Sequence, residues 1–204
     1  VSRTKPDVAA FFAGALYVIS DDPDVLTRAL EDGVTIIQLR DKKGSADEIR
    51  SKAAQIQAHP RRGSALFLLD DYAELAREIG ADGVHIGQDT DTVETRKTLG
   101  EHLVLGKTTH NLTQARQALS EGADYISAGP VYPTPTKPGR PAVGLEYVRE
   151  VAENIPLPFV AIGGIDETNI DGVIQSGART VGIVRAAKLA PLFLQKVSRH
   201  EYQS

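Results

Sequence analysis

Residues 121–128 read EGADYISA. A helical pattern, Leu112–Glu121, runs up to the glycine, and an apolar run, Asp124–Ala128, follows it. Glycine suits that junction because a helix often ends on a left-handed residue, where a Cβ is strained. The run after it is too short for a helix and barely alternates. That is the signature of a parallel strand covered on both faces. The same phrase occurs as Glu31-Asp-Gly33 and Gly80-Ala-Asp-Gly83, and more loosely as Ser176-Gly-Ala178. Each copy closes a helix and opens a strand, so the repeat is one of βα units rather than of a stacked solenoid.

Working outward, similar apolar runs lie at Ala15–Ile19, Thr35–Leu39, Ala65–Leu69, Gly83–Ile86, Leu103–Gly106, Phe159–Ile162 and Thr180–Val184. Amphipathic stretches separate them. Ala46–Ala58 carries Ile49, Ala53 and Ile56 at helical spacing, and Glu146–Glu153 reads the same way. Gly33, Gly80, Gly122 and Gly177 are placed as helix caps. Eight βα units in 204 residues predict a closed (β/α)8 TIM barrel, α/β in class. One compact domain spans 1–204, with peripheral termini and a short last helix after Lys188. A doubly wound open sheet fits less well, because no G-x-G-x-x-G follows the first strand.

Composition sets the bounds. A formal net charge of −4 implies no basic face for nucleic acid or a membrane surface. No apolar run approaches the roughly 18–20 residues of a membrane span, and none at the start resembles a signal peptide. The expectation is a cytoplasmic protein, or an organellar one after loss of a transit peptide. With no cysteine, disulfides, zinc thiolates and cysteine nucleophiles are excluded.

Barrel geometry sorts the polar residues, since active sites sit at the C-terminal ends of the strands. Gln38, Arg40 and Lys42 alternate after the second run and so share one direction. An Arg beside a Lys suits phosphate, and that reading stands ahead of a solvated strand end paired with Asp41 or Glu48. Asp70 and Asp71 follow the third run, and Asp89 and Asp91 the fourth. These carboxylates suit Mg²⁺, and Asp71 and Asp91 equally suit helix N-caps. Ala161-Ile-Gly-Gly-Ile165 and Gly182-Ile-Val-Arg-Ala186 end the last two strands, where barrels often build a phosphate site from backbone N–H groups. A tight turn is the alternative. Residues 129–141, GPVYPTPTKPGRP, form a stiff loop of five prolines, rich in donors. His110 reads best as a structural hydrogen-bonder, and Lys107 is a weak Schiff-base candidate. The residues alone therefore predict a barrel that holds two anionic groups.

Five stretches, Gln38-Leu-Arg-Asp-Lys42, Ala81-Asp-Gly-Val-His-Ile-Gly-Gln88, Gly129-Pro-Val-Tyr-Pro-Thr-Pro-Thr-Lys137, Ala161-Ile-Gly-Gly-Ile165 and Val184-Arg-Ala186, resemble the thiamine-phosphate synthase (thiamine-phosphate pyrophosphorylase) family. The resemblance runs in unbroken order from about Ala15 to Ala187. It implies a transferase that joins 4-amino-2-methyl-5-(diphosphooxymethyl)pyrimidine to 4-methyl-5-(2-phosphoethyl)thiazole. Thiamine monophosphate and pyrophosphate are the products, Mg²⁺ is the cofactor, and the pathway is dissociative. It further implies that the stretch Gln38, Leu39, Arg40, Asp41 and Lys42 surrounds the pyrimidine diphosphate, with Asp70, Thr108 and Lys137. Thr134 and Thr136 would meet the thiazole substrate, and Gly164, Val184 and Arg185 its phosphate. Arg40, Lys42 and Lys137 are its catalytic residues, and Asp71 and Asp89 its metal ligands. The chain departs from the family pattern at Asp70, where an Asn is usual, and at Thr90, the usual place of the second metal Asp. The implied partners are small molecules, with neither nucleic acid nor membrane, and a homo-oligomer is left open. Two rivals remain: a thiazole tautomerase of the same superfamily using His110, and a non-catalytic paralogue that binds thiamine phosphate.

Overall fold

The computed structural model describes residues 4–134, 139 and 141–199. Its strands are β1 (Ala15–Ser20), β2 (Ile36–Leu39), β3 (Leu66–Asp70), β4 (Gly83–Ile86), β5 (Val104–Thr109), β6 (Tyr125–Ala128), β7 (Phe159–Ile162) and β8 (Thr180–Ile183). They pair in sequence order, all parallel, and β1 joins β8 to close the ring. Helices α1 (Val8–Phe11), α2 (Pro23–Glu31), α3 (Ala46–Gln57), α4 (Ala73–Glu78), α5 (Thr92–Leu99), α6 (Leu112–Ser120), α7 (Gly144–Asn154), α8 (Ile170–Gln175) and α9 (Ala190–Arg199) accompany them. The expected (β/α)8 barrel is thus the observed fold.

Alternation along the strands divides the apolar residues into two layers. Tyr17, Ile36, Leu66, Leu68, Val104, Tyr125 and Val160 fill the barrel interior, with Val8 and Phe12 closing its lower end. Leu16, Val18, Ile37, Leu39, Phe67, Leu69, Val84 and Leu105 belong to the other core, against the helices. The lower end is pinned where Thr180 Oγ1 donates to Phe12 O at 2.7 Å.

The repeated phrase has a definite structural role. Gly33, Gly80, Gly122 and Gly177 all take positive φ, between 68° and 97°. The next residue then folds its N–H back onto the helix, Val34 to Ala29 O, Ala81 to Ala76 O and Ala123 to Ala118 O. Two aspartates of the phrase, Asp82 and Asp124, reach into the sheet. Asp82 Oδ2 accepts from Phe67 N at 2.8 Å and Arg62 Nη2 at 2.7 Å. Asp124 Oδ2 accepts from Leu105 N at 2.8 Å and Arg96 Nη2 at 2.6 Å.

Two local expectations change. β5 continues past Gly106 through Lys107, Thr108 and Thr109, all buried. Their polar groups find partners on the neighbouring strands and loops. Lys107 Nζ donates to the carbonyls of Gly87 and Gln88 at 3.0 Å each and of Thr90 at 2.5 Å, and Thr109 Oγ1 donates to Ser127 O at 2.9 Å. The capping reading holds for Asp91, which accepts from Glu94 N at 2.9 Å. It fails for Asp71, because α4 begins after Tyr72 without a side-chain cap, and both Asp71 and Tyr72 are left-handed (φ 58° and 53°).

Candidate active site

The loop after β6 lies across the end of β7. Val131 N donates to Ile162 O and Tyr132 N to Gly163 O, each at 2.9 Å. That contact is what Gly163 and Gly164 permit. Both have positive φ (101° and 69°), and a Cβ at Gly163 would fall 2.5 Å from Pro130 Cβ. A Cβ at Gly164 would fall 2.7 Å from Tyr132 Cβ. The glycine pair is therefore a seat for the proline-rich loop as well as backbone exposed at the rim.

Above the barrel core lies a cavity of about 340 Å³. Gln38, Arg40 and Lys42 all line it, so the alternation read from the sequence aims them into one space. Asp70, Thr108 and Thr134 line it too, and Gly164, Val184 and Arg185 complete the wall beside β7 and β8. Leu39, one residue out of phase, is buried in the outer layer, and Asp41 turns away to pair with Lys52 Nζ at 2.6 Å. Thr136 and Lys137 lie outside the described residues. Tyr17, Ser127 and Asp166 also line the cavity. They were not singled out from the sequence, although Tyr17 and Ser127 occupy the same inward-facing phase as their strand neighbours.

Asp70 organises the charges. It is buried at the end of β3, with Lys42 Nζ 2.5 Å from Oδ2, Arg40 Nε 3.7 Å from Oδ1 and Gln38 Nε2 3.5 Å from Oδ1. Burial raises the Asp70 carboxyl above the usual carboxylate range, against the pull of Lys42. Burial pulls Lys42 the other way, but Asp70 and Asp71 together outweigh it and raise the ammonium above its ordinary value. The cations are thus offset by Asp70 and, at Lys42, by Asp71 as well, not by Asp41 or Glu48.

The test of a divalent cation here is Asp71. Its Oδ2 meets Lys42 Nζ at 2.5 Å, while its Oδ1 is buried and has no hydrogen-bond partner among the described residues. Asp89 is exposed on a loop that Lys107 ties to β5. No cluster of three or more His, Cys, Asp or Glu side chains able to hold a metal occurs among the described residues. The buried Oδ1 of Asp71 is a hard oxygen donor of the type Mg²⁺ takes, and among the described residues it is the one observation that fits such an ion.

His110 is not part of the cavity wall. Its Nδ1 is bonded to Gly129 O, and its N–H donates to Gln114 Oε1 at 2.8 Å. It fastens the base of the proline-rich loop. Lys107 alternates with the inward-facing Gly106 and Thr108, and its three carbonyl partners make it a tether rather than a nucleophile.

Comparison with known proteins points the same way. The family model described as thiamine monophosphate synthase matches residues 15–187. A thiamine-phosphate synthase of Thermus thermophilus is 47% identical over 169 residues, 82% of this chain and 82% of the relative. One of Gloeobacter violaceus is 43% identical over 183 residues, 87% of this chain but 54% of the relative, so the chain spans about half of that protein. Among solved structures, a thiamine phosphate pyrophosphorylase from Pyrococcus furiosus superposes with a TM-score of 0.83 at 30% identity, covering 94% of this chain and 98% of that one. FabK from Thermotoga maritima superposes at 0.72 but with 16% identity, a likeness of fold alone. A match over nearly the whole barrel, joined to a rim whose cations and glycines converge on one cavity, leaves one conclusion: the chain belongs to the thiamine monophosphate synthase family.

Proposed function

We propose that the chain is a thiamine-phosphate synthase, a transferase that couples the pyrimidine diphosphate to the thiazole phosphate and releases pyrophosphate. The observation that carries this reading is the presence of two anion-suited groups around one cavity: Gln38, Arg40 and Lys42 from β2, and Gly164, Val184 and Arg185 from β7 and β8. One cavity that takes two phosphorylated substrates fits a coupling reaction better than a reaction of one substrate.

In the reaction, the bond from the pyrimidine methylene carbon to the diphosphate oxygen breaks, and its electron pair leaves with pyrophosphate. The thiazole nitrogen lone pair then forms the new C–N bond. No proton has to move, so the protein's work is to neutralise the leaving charge and align the partners. Arg40 and Lys42 would shift from Asp70 toward the diphosphate, joined by the Thr108 hydroxyl. Thr134 would bound the thiazole, and Gly164 and Val184 offer backbone N–H groups to its phosphate. Asp71, with Asp89 as the second carboxylate, would hold Mg²⁺, which supplies further neutralisation of the diphosphate. The tautomerase reading needs His110 beside the substrate, and its bond to Gly129 O speaks against that.

The test is pyrophosphate release from the purified protein. Release that requires both substrates and Mg²⁺ is the expected result. Substrate binding without release would overturn the assignment in favour of a binding protein.

A further inference from the structure

Four inward-facing side chains from four strands form a continuous chain along the floor of the cavity. Tyr17 OH lies 3.0 Å from Tyr125 OH, and Tyr125 OH lies 2.9 Å from His85 Nδ1. His85 Nε2 lies 3.0 Å from Thr108 Oγ1, with Ser127 Oγ more distant at 3.4 Å. Tyr17, His85, Thr108 and Ser127 all line the cavity, and Tyr125 links Tyr17 to His85 from behind that wall.

The geometry is enforced. Gly106 has no Cβ, and one built there would lie 2.1 Å from Tyr125 Cζ and 2.4 Å from its hydroxyl oxygen. The tyrosine ring occupies that hollow, and Phe12 packs on it with ring centroids 4.8 Å apart. Burial pushes the Tyr17 and Tyr125 hydroxyls well above their ordinary range. Both therefore keep their protons near neutrality, and each has one proton to donate.

A neutral imidazole carries one proton on one of its two nitrogens. With the proton on Nδ1, His85 donates to Tyr125, and Nε2 must accept from Thr108. The Thr108 lone pairs would then face an anion. With the proton on Nε2, every bond reverses: Tyr17 donates to Tyr125, Tyr125 to Nδ1, and Nε2–H to Thr108 Oγ1. The Thr108 proton is then directed into the cavity.

We propose that Tyr17, Tyr125 and His85 form a directional hydrogen-bond relay that, with an anion in the cavity, holds His85 in its Nε2–H form and aims the Thr108 hydroxyl proton at that anion. The inference rests on the diphosphate reading above. His85 is here a positioning residue: it acts on the ligand through Thr108. The chain is a cooperative unit, because each donor polarises the next.

The experiment uses the full chain, ¹⁵N-labelled at histidine, with inorganic pyrophosphate and Mg²⁺ as the probe. Long-range ¹H–¹⁵N spectra distinguish a protonated ring nitrogen from an acceptor, and calorimetry gives the affinity separately. The expected spectrum has Nε2 protonated and Nδ1 as acceptor in the pyrophosphate complex. Tyr125→Phe keeps the ring in the Gly106 hollow and should mix the tautomers, weakening pyrophosphate binding roughly 3- to 10-fold. Thr108→Val should weaken binding similarly in the parent and add little in the Tyr125→Phe background. Binding with the proton on Nδ1, or two losses that simply multiply, would overturn the relay while leaving the diphosphate reading intact. No pyrophosphate binding by the parent would remove both.

Discussion

Asp70 sits where the family pattern has an asparagine, and its carboxylate rests on the cations that a diphosphate would use. On the proposed function, a diphosphate would compete with it for Lys42 and Arg40. Asp70→Asn keeps the shape and adds a donor. The KM for the pyrimidine diphosphate should fall roughly 3- to 10-fold, the scale of one partly solvated ion pair, with kcat preserved in steady-state assays. A large loss of kcat would show that Asp70 has a role of its own. Asp71 is the opposite case, held in a left-handed conformation with a buried oxygen lacking a hydrogen-bond partner among the described residues. Asp71→Ala should raise the Mg²⁺ concentration for half-maximal activity on the order of tenfold or more, and an unaltered magnesium titration would count against ligation. Much of this was legible in the sequence. The period of two placed Gln38, Arg40 and Lys42 together, and the order of the strands put them on one rim. The role of Asp70 was not legible, because its partners lie 28 to 32 positions earlier and only strand pairing brings them near. The same period, applied strictly, would have excluded Leu39.

At the scale of elements, the strands read easily because buried parallel strands leave unbroken apolar runs. β5 was read short for a physical reason. Its last three residues are polar, and the carbonyls and hydroxyls that satisfy them come from neighbouring strands and loops. The loop after β6 was recognised by composition, but its seat on Gly163 depends on a close approach that no local pattern records. Gly163→Ala would strain a residue at φ 101° and drive a methyl into Pro130. Turnover should fall at least about tenfold as the loop lifts, while the midpoint of urea unfolding should move far less than it does for a core variant. Such a variant is Asp82→Ala at the base of β4. It removes the carboxylate paired with the buried Arg62 and the acceptor of Phe67 N–H. The expected loss is about 3–5 kcal/mol of stability, measured by urea denaturation, with KM unchanged in whatever protein still folds.

Over the whole molecule, the C-terminal rim of the barrel carries both the candidate site and, at Asp41 between Arg40 and Lys42, a part of the stability. The rim gathers Arg40, Lys42 and Arg185 around one cavity within a chain whose net charge is −4, so its positive charge is local. The acid limb of stability should be visible at Asp41. Its hydrogen bond from Lys52, with two more from the Lys43 and Gly44 N–H groups, holds the carboxyl at about 2. The folded state therefore binds its proton less readily than the unfolded chain, whose carboxyl titrates near ~3.9. The stabilisation is complete above that value and is lost as pH falls toward 2. The stability gap between the parent and Asp41→Asn should be constant from pH 7 to 5 and narrow below about pH 4. A gap independent of pH in urea titrations would contradict this.

The left-handed glycine turn enters the sheet before β2, β4, β6 and β8, at Gly33, Gly80, Gly122 and Gly177, and Gly14 and Gly100 take the same sign of φ before β1 and β5. At Gly33 and Gly122 a Cβ would meet nothing within 4 Å. What those corners demand is a backbone shape and not room, so a D-amino acid would serve there where an L-alanine would not.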